Sequence, residues 1–255
     1  MEVIVTHKYT FLAPNIKVSL MFADLFVVAY DQPEIMVEAV GDDYVCSHLI
    51  SKIVDQTLTV SFPVPLLNGR YTSTGSPQQI NGTLCVDFEP VDLSRKIQVV
   101  IHIPGNTNLD VKKLIGNSHI GNFQGDLTLQ GFMGFENFTG AVGNCEIGAS
   151  SSFKASVERV VGNLMVNGSS SAKVQIGEVS SPSIKLDLSS HAHVSISGGI
   201  AISTKVSGSS GATASLDIAS EIADLSGSSG ANIHLRHCIK PPRISKSSGA
   251  SVSVG

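Results

Sequence analysis

The sequence predicts an all-β protein, a right-handed parallel β-helix with about 20 residues per coil. Three observations predict this fold: a repeat between Val157 and Gly255, strict alternation of apolar and polar residues within each repeat, and Gly/Ser runs between the strands. The repeats align on Ala172, Ala192, Ala212, Ala231 and Ala250, and subtraction of these numbers gives steps of 20, 20, 19 and 19 residues. A fixed period of this length is typical of a β-solenoid.

Each aligned alanine precedes a strand with an apolar inner side. The positions two and four residues later hold pairs such as Val174 and Ile176, or Ile233 and Leu235, with polar residues between them. Such alternation is typical of a half-buried strand. A second apolar column, six residues before each alanine, predicts another strand in every coil: Val166, Leu186, Val206, Leu225 and Ile244.

The Gly/Ser runs between these strands predict tight corners. Gly211, Gly230 and Gly249 can adopt a positive φ without a steric penalty, and neighbouring serines keep the bend narrow. No coil can bury its apolar side alone, so the coils are expected to stabilise one another by stacking about 4.8 Å apart. Right-handed winding is expected because parallel crossovers prefer that hand.

Residues 1–62 are expected to form a β-rich N-terminal part. The stretch with Lys17 to Ser19 and Asp24 to Val28 can be laid over the later repeats, which predicts a degenerate first coil. Apolar residues at helical spacing, with Asp42 or Asp43 as the N-cap, predict a short helix over 44–54.

Residues 63–95 break the rhythm with several prolines and glycines, which predicts an inserted loop or hairpin. Such an irregular segment is the expected place for a specific contact. Residues 96–255 then resume the coils, so the three parts are expected to make one continuous domain. Five phenylalanines of this last part are expected to stack inside the coils: Phe123, Phe132, Phe135, Phe138 and Phe153.

The repeats carry no residue pattern typical of catalysis. A β-helix lyase or hydrolase assembles carboxylates from adjacent coils, but Asp187 aligns with Ser207 and Ser226, and Asp217 aligns with Arg236. No nucleophile elbow, phosphate loop or dinucleotide-binding pattern is present. The sequence therefore predicts no catalytic, cofactor-binding or metal-binding residue, and no cofactor.

The histidines and cysteines are the residues that could act as metal ligands or nucleophiles. His191 and His193 are expected to point the same way on one strand, but a transition-metal site would need a third ligand fixed close by. Exposed polar histidine is therefore the expected state. The cysteines form no CxxC pair and are expected to be buried or half-buried thiols, with a Cys46–Cys85 disulfide as the alternative.

Composition argues against two classes of partner. The net charge is −4 and no Lys/Arg cluster is present, so nucleic acid and anionic membranes are poor candidates. No stretch approaches 18 apolar residues, so no membrane insertion is expected. The first residues lack the basic and apolar segments of a signal peptide, which leaves open a cytoplasmic location or a removed leader.

The repeated GSSGA followed by an alternating strand resembles a bacterial family, the auto-transporter adhesin head domain, also called the head GIN domain. The front section, PNIKVSLMFADLFVVAYDQPEIMVEAVGDDYVCSHLISKIVDQTLTVSF, resembles it as well. The resemblance covers residues 15–254 apart from 63–95. It implies a parallel β-helix-like fold and a cell-surface or periplasmic location in a bacterium. The family has no agreed catalytic residues, so none is transferred.

Three hypotheses of function follow from these observations. The first is a non-enzymatic adhesin or cell-envelope binding protein, whose polar β-helix surface contacts host or envelope glycans or proteins. The second is a carbohydrate-active β-helix enzyme with its site at 63–95, which paired carboxylates there would favour. The third is an intracellular scaffold module, favoured by the absent leader. The oligomeric state stays open.

Overall fold

The computed structural model describes residues 2–10, 15–72, 77–81, 83–121, 124–131 and 134–255. The chain folds as a β-solenoid of about 7 turns with about 19 residues per turn, and one short helix lies near the N-terminus. The predicted fold class is therefore confirmed. The chain divides into two compact units, residues 1–125 with 132–136, and residues 126–131 with 137–255. Both sequence-based boundaries, at 62 and 95, lie within the first unit, and the division at these positions stays a prediction.

The described residues of the first unit form fourteen complete strands, one α-helix and one 3-10 helix. They are β1 Glu2–Thr10, β2 Asn15–Met21, β3 Ala23–Tyr30, β4 Glu34–Asp42, α1 Asp43–Cys46, β5 Ile50–Val54, β6 Thr57–Phe62, β7 Val64–Pro65, β8 Tyr71–Thr72, β9 Pro77–Ile80, β10 Thr83–Val86, β11 Glu89–Pro90, the 3-10 helix Leu93–Arg95, β12 Ile97–Pro104, β13 Asn108–Leu114 and β14 Ser118–Gly121.

The coil formed by β2 and β3 is first in the sequence but second in the stack. Strand β2 lies between β6 and β13, and β3 lies between β12 and β14, all in parallel register. Residues 15–30 therefore form a coil as predicted, but they do not end the stack. On the outer side, β4 pairs antiparallel with β12 and β5 pairs antiparallel with β6. Antiparallel strands thus cover the edges that another coil would otherwise occupy.

The predicted helix over 44–54 is wrong in its extent. Helix α1 is a single turn that ends at Cys46, and residues 50–54 form strand β5. Asp55 and Gln56 both have positive φ and make the two-residue turn into β6. Of the apolar residues at helical spacing, Val45 and Leu49 are buried, whereas Ile50 and Ile53 are exposed. Tertiary pairing with β6 therefore overrides the helical pattern.

The insertion at 63–95 is built from short antiparallel strands. Strands β7 and β8 form one pair, and β9, β10 and β11 form a three-stranded sheet. Leu66, Leu84 and Val91 are buried beneath these strands. A two-residue turn with positive φ at Asp87 and Phe88 joins β10 to β11 and leaves Phe88 78% exposed.

The second unit contains the regular coils. Its strands are β15 Leu127–Gly131, β16 Phe135–Val142 (whose first two residues belong to the first unit), β17 Cys145–Ala149, β18 Lys154–Val160, β19 Leu164–Gly168, β20 Lys173–Leu188, β21 His193–Ile196, β22 Gly199–Gly208, β23 Thr213–Gly227, β24 Asn232–Cys238, β25 Arg243–Lys246 and β26 Ser251–Val254. Two parallel ladders run through it. One joins β15, β17, β19, β20, β22, β23 and β25, and the other joins β18, β20, β21, β23, β24 and β26.

The two predicted apolar columns form the core of this unit. In the first four repeats every residue of both columns is buried. This holds for the aligned alanines and for the column that runs from Val166 to Leu225. Only the last repeat differs, since Ala250 is half-buried and Ile244 is exposed. Strands β25 and β26 each pair with one strand among the described residues, on one side only, and these two residues are correspondingly less covered.

Two of the five phenylalanines can be located inside the coils. Phe138 and Phe153 are fully buried, as predicted. Gly131 makes room for Phe153, because a Cβ atom at Gly131 would lie 1.9 Å from the Phe153 ring. Phe123 and Phe132 lie outside the described residues, and the side chain of Phe135 is not described.

The predicted corners are two-residue turns with positive φ at both positions. In one of them Ser229 and Gly230 have φ of 49° and 75°. The N–H of Ala231 closes the turn on the carbonyl of Ser228 over 3.0 Å. The N–H of Gly230 donates to Ser248 in the next coil over 3.1 Å. The same turn therefore both reverses the chain and joins successive coils.

The substitution Gly230→Val is expected to lower the free energy of unfolding by about 1–2 kcal/mol, the cost of a branched residue in the left-handed region. No atom lies within 4 Å of a Cβ atom at this position, so the loss is backbone strain and not a clash. Gly230→Asn is the matched control and should cost less, because asparagine tolerates this region. Urea unfolding measures both, and equal losses would contradict strain as the cause.

Candidate functional site

The carboxylates of the regular coils are arranged as the alignment predicts. Asp187 is in register with Ser207, and Ser207 with Ser226. Asp217 pairs with Arg236 over 3.1 Å, and Glu178 pairs with Arg159 over 2.9 Å. Each of these carboxylates therefore neighbours a hydroxyl or a cation, which does not match the paired acids of glycoside hydrolysis.

The carboxylates of the insertion also have assigned partners. Arg70 donates a hydrogen bond to Glu89 and lowers the pKa of that carboxyl. The Ser94 hydroxyl donates to Asp92 over 2.6 Å and lowers the pKa of Asp92 in the same way. A general acid in glycoside hydrolysis requires a raised pKa. Glu89 and Asp92 are shifted in the opposite direction.

The prediction for His191 and His193 is wrong. His191 occupies a corner with φ of 64°, whereas His193 begins strand β21, so they do not share a strand face. His234 lies on strand β24, and its Nδ1 lies 3.0 Å from the Ser253 hydroxyl. No group of three His, Cys, Asp or Glu side chains in the described part of the chain could hold a metal ion.

The four cysteines are free thiols in this structure. Cys46, Cys85 and Cys145 are buried and Cys238 is half-buried, as the sequence predicts. Burial raises the pKa of the Cys145 thiol to about 12. A thiol with so high a pKa is not a nucleophile at neutral pH, since the thiolate is the reactive form.

The polar face is a surface of the second unit. It comprises two outward columns on six parallel strands. The first column contains Lys154, Lys173, His193, Thr213, Asn232 and Ser251, and the second contains Ser156, Gln175, Ser195, Ser215, His234 and Ser253. All twelve side chains are exposed or half-buried. Five steps of about 4.8 Å make this face about 24 Å long.

The polar face offers hydrogen-bonding groups at regular spacing. Its hydroxyl, amide and imidazole groups can both donate and accept hydrogen bonds. Lys154 and Lys173 put positive charge at one end, and neither column contains a carboxylate. Such a surface can bind a ligand rich in hydroxyl groups, but it holds no group arranged for bond cleavage.

A second surface of this unit, the aliphatic groove, was not predicted. The groove has a volume of about 430 Å³ and is bordered by exposed aliphatic side chains. These are Val161, Ile200, Ile202 and Ile239. The hydroxyls of Ser181 and Ser220 donate to the carbonyls of Ser183 and Ile222, so the groove is chiefly apolar. The sequence did not reveal it because outward positions were expected to be polar.

The tyrosine–arginine cluster of the first unit consists of Tyr44, His48, Tyr71 and Arg95. The His48 ring stacks on Tyr71 with centroids 4.1 Å apart and meets Tyr44 edge-on at 5.0 Å. Arg95 Nη1 donates to the Tyr71 hydroxyl over 3.2 Å, and this hydrogen bond raises the pKa of Arg95. The guanidinium is therefore charged at every physiological pH.

A cavity of about 390 Å³ lies beside this cluster. Its lining includes Tyr44, Ser94, Arg95 and Lys96. Arg95 Nε lies 3.1 Å from Asp92, and Lys96 Nζ lies 2.6 Å from Asp24. Neither carboxylate belongs to the cavity wall, and no other described carboxylate lines it. The wall therefore combines the Tyr44 ring and two cations with the apolar side chains of Val45 and Ile97.

Sequence reasoning identified the insertion as a place for specific contacts but missed the members of this cluster. Tyr44 and His48 come from the α1 region, Tyr71 from β8, and Arg95 from the 3-10 helix. No spacing in the sequence links these positions. The only signal was the position of Tyr71 and Arg95 within the irregular segment.

Comparison with known proteins places the chain by fold. No protein-family model and no curated protein sequence matches it. A crystal structure of a candidate adhesin from Parabacteroides distasonis is 15% identical with a TM-score of 0.53, over 99% of this chain and 96% of that chain. One from Parabacteroides merdae is 14% identical with a TM-score of 0.50, over 98% and 95%. Identities this low establish a shared fold, so membership of the head GIN family stays a prediction.

None of the described helices has the length and hydropathy needed to cross a membrane.

Proposed function

We propose that this protein is a non-enzymatic adhesin that binds glycans through the polar face. The observation that carries the proposal is the unbroken row of hydroxyl, amide and imidazole side chains on six strands in register. Sugar hydroxyls both donate and accept hydrogen bonds, so they match these groups in kind. A long surface of weak contacts suits adhesion, because repeated engagement raises the overall affinity.

The shared fold supports this proposal. Two of the solved structures that match over nearly the whole chain are candidate adhesins. A location at the cell surface or in the periplasm follows from the same proposal. Protease treatment of intact producing cells tests that location: cleavage of the full-length protein supports it, and complete protection with recovery from the cytosol contradicts it.

The alternative of a carbohydrate-active enzyme is less well supported. It requires a general acid and a second carboxylate across one cleft. In the insertion, Glu89 contacts Arg70 and Asp92 contacts Ser94 and Arg95, with lowered pKa values for both carboxyls. These contacts suit local structure in the insertion. They do not suit proton donation to a leaving group.

The decisive variant removes the central hydroxyls of the polar face. The triple substitution Ser195→Ala, Thr213→Ala and Ser215→Ala is expected to weaken binding to an array of glycans and matrix proteins at least tenfold. Ser195 and Ser215 are neighbours in register, and Thr213 shares a strand with Ser215, so the three hydroxyls form one patch. Each replaced side chain is exposed or half-buried, so the fold should persist.

The matched control is the double substitution Ser207→Ala and Ser226→Ala, in a column of the other ladder. It should leave binding unchanged. Equal binding by the triple variant and the intact protein would exclude the polar face as the binding surface. Failure of the intact protein to bind any member of the array would count against adhesion to glycans altogether.

A further inference from the structure

We propose that the tyrosine–arginine cluster and its cavity bind a sugar ring that carries a carboxylate group. This inference goes beyond the proposed function, because it concerns a different site, in the first unit, and an acidic ligand. It does not depend on the polar face.

The aromatic part of the site is held in place before any ligand binds. Tyr44 is 64% exposed, yet its ring contacts His48 and its carbonyl oxygen lies 2.8 Å from His48 Nδ1. His48 in turn stacks on Tyr71 at an interplanar angle of 13°. A ring that is already ordered loses little conformational freedom on binding. Its electron-rich face suits the C–H groups on one side of a pyranose ring.

The cationic part of the site is oriented for an anion. Asp92 holds Nε of Arg95 and the Tyr71 hydroxyl holds Nη1, which fixes the plane of the guanidinium. These contacts leave the N–H donors of Nη2 without a hydrogen bond to any described residue. A planar guanidinium matches the geometry of a carboxylate. Lys96 adds a second positive charge on the cavity wall.

The combination selects an acidic sugar over simpler ligands. A neutral sugar could contact Tyr44 but would bring no carboxylate to the Nη2 donors of Arg95. A small anion without a ring could pair with the cations but would make no use of the tyrosine. The cavity volume of about 390 Å³ lies in the range of small-molecule sites. A carboxylated pyranose can contact both the Tyr44 ring and the guanidinium of Arg95.

The test is calorimetric titration of the full chain with sodium D-glucuronate and, separately, with D-glucose. Glucuronate is expected to bind at least tenfold more tightly than glucose. Arg95→Gln and Tyr44→Ala should each weaken glucuronate binding at least tenfold, and the binding should weaken as salt is added. Arg159→Gln is the control, since Arg159 is an exposed arginine paired with Glu178 on the second unit, and it should leave binding unchanged.

Thermal unfolding of each variant separates lost binding from lost fold, and Tyr44→Ala removes an exposed ring that a folded protein tolerates. The proposal is overturned if glucuronate and glucose bind equally, or if neither binds. It is also overturned if Arg95→Gln, shown to be folded, binds as the intact protein does. Inorganic phosphate serves as a further probe: displacement of glucuronate by phosphate, with no effect of Tyr44→Ala, would exclude recognition of the sugar ring.

Discussion

The substitution Ala212→Glu is expected to lower the free energy of unfolding by about 4 kcal/mol or more, among the largest effects of a single substitution. Ala212 is 1% exposed and lies in the buried column between Ala192 and Ala231. A glutamate there would either bury an unpaired charge or remain protonated at the cost of a strongly raised pKa. The larger side chain would also force neighbouring coils apart.

Urea unfolding followed by circular dichroism measures this loss. Thr213→Glu is the matched control, because Thr213 is the next residue and points to the opposite face of the strand. Its midpoint should stay close to that of the intact protein. Identical midpoints for the two variants would show that the inward and outward faces of the coil have been assigned incorrectly.

Glu136 is expected to make the stability of the protein depend on pH between about 4.5 and 8. Its side chain is 2% exposed and its Oε2 atom has no hydrogen-bond partner among the described residues. Burial raises the pKa of Glu136 from the ordinary 4.5 to about 8. The folded protein therefore holds this proton more tightly than the unfolded chain. The stabilisation is complete below pH 4.5 and is lost as the pH rises through about 8.

The free energy of unfolding is expected to change by about 5 kcal/mol across that pH range, at about 1.4 kcal/mol for each unit of pKa. Glu136→Gln keeps the size of the side chain and removes the titration. We expect the variant to become more stable relative to the intact protein as the pH rises from 4.5 to 8. Urea midpoints at several pH values measure this difference, and Glu146→Gln, an exposed carboxylate of β17, is the control. A difference that does not change with pH would contradict the raised pKa of Glu136.

The regular coils illustrate how much a repeat can determine without an alignment. The period of 19 to 20 residues, the columns headed by Val166 and Ala172, and the positive φ at Gly230 are all found in the structure. These features were predictable because each coil contacts mainly its two neighbours. Equivalent residues in successive repeats therefore have the same environment. The alternation of period two then assigns every side chain to one face.

The first unit lacks that redundancy. Residues 15–30 were recognisable as a coil, but only parallel pairing placed β2 between β6 and β13. The helical spacing in 44–54 was likewise overridden by pairing of β5 with β6. In both cases the deciding contacts join segments with no shared sequence pattern. Local propensity therefore could not predict which strands pair.

The candidate sites divide in the same way. By itself the sequence determined the outward residues of the polar face, because outward and inward positions alternate strictly along each repeat. Only the tertiary structure brought Tyr44, Tyr71 and Arg95 together from three separate elements. It alone also buried Glu136 with no hydrogen-bond partner for Oε2 among the described residues. A repeated surface is encoded locally, whereas a cluster made by distant segments exists only once the chain has folded.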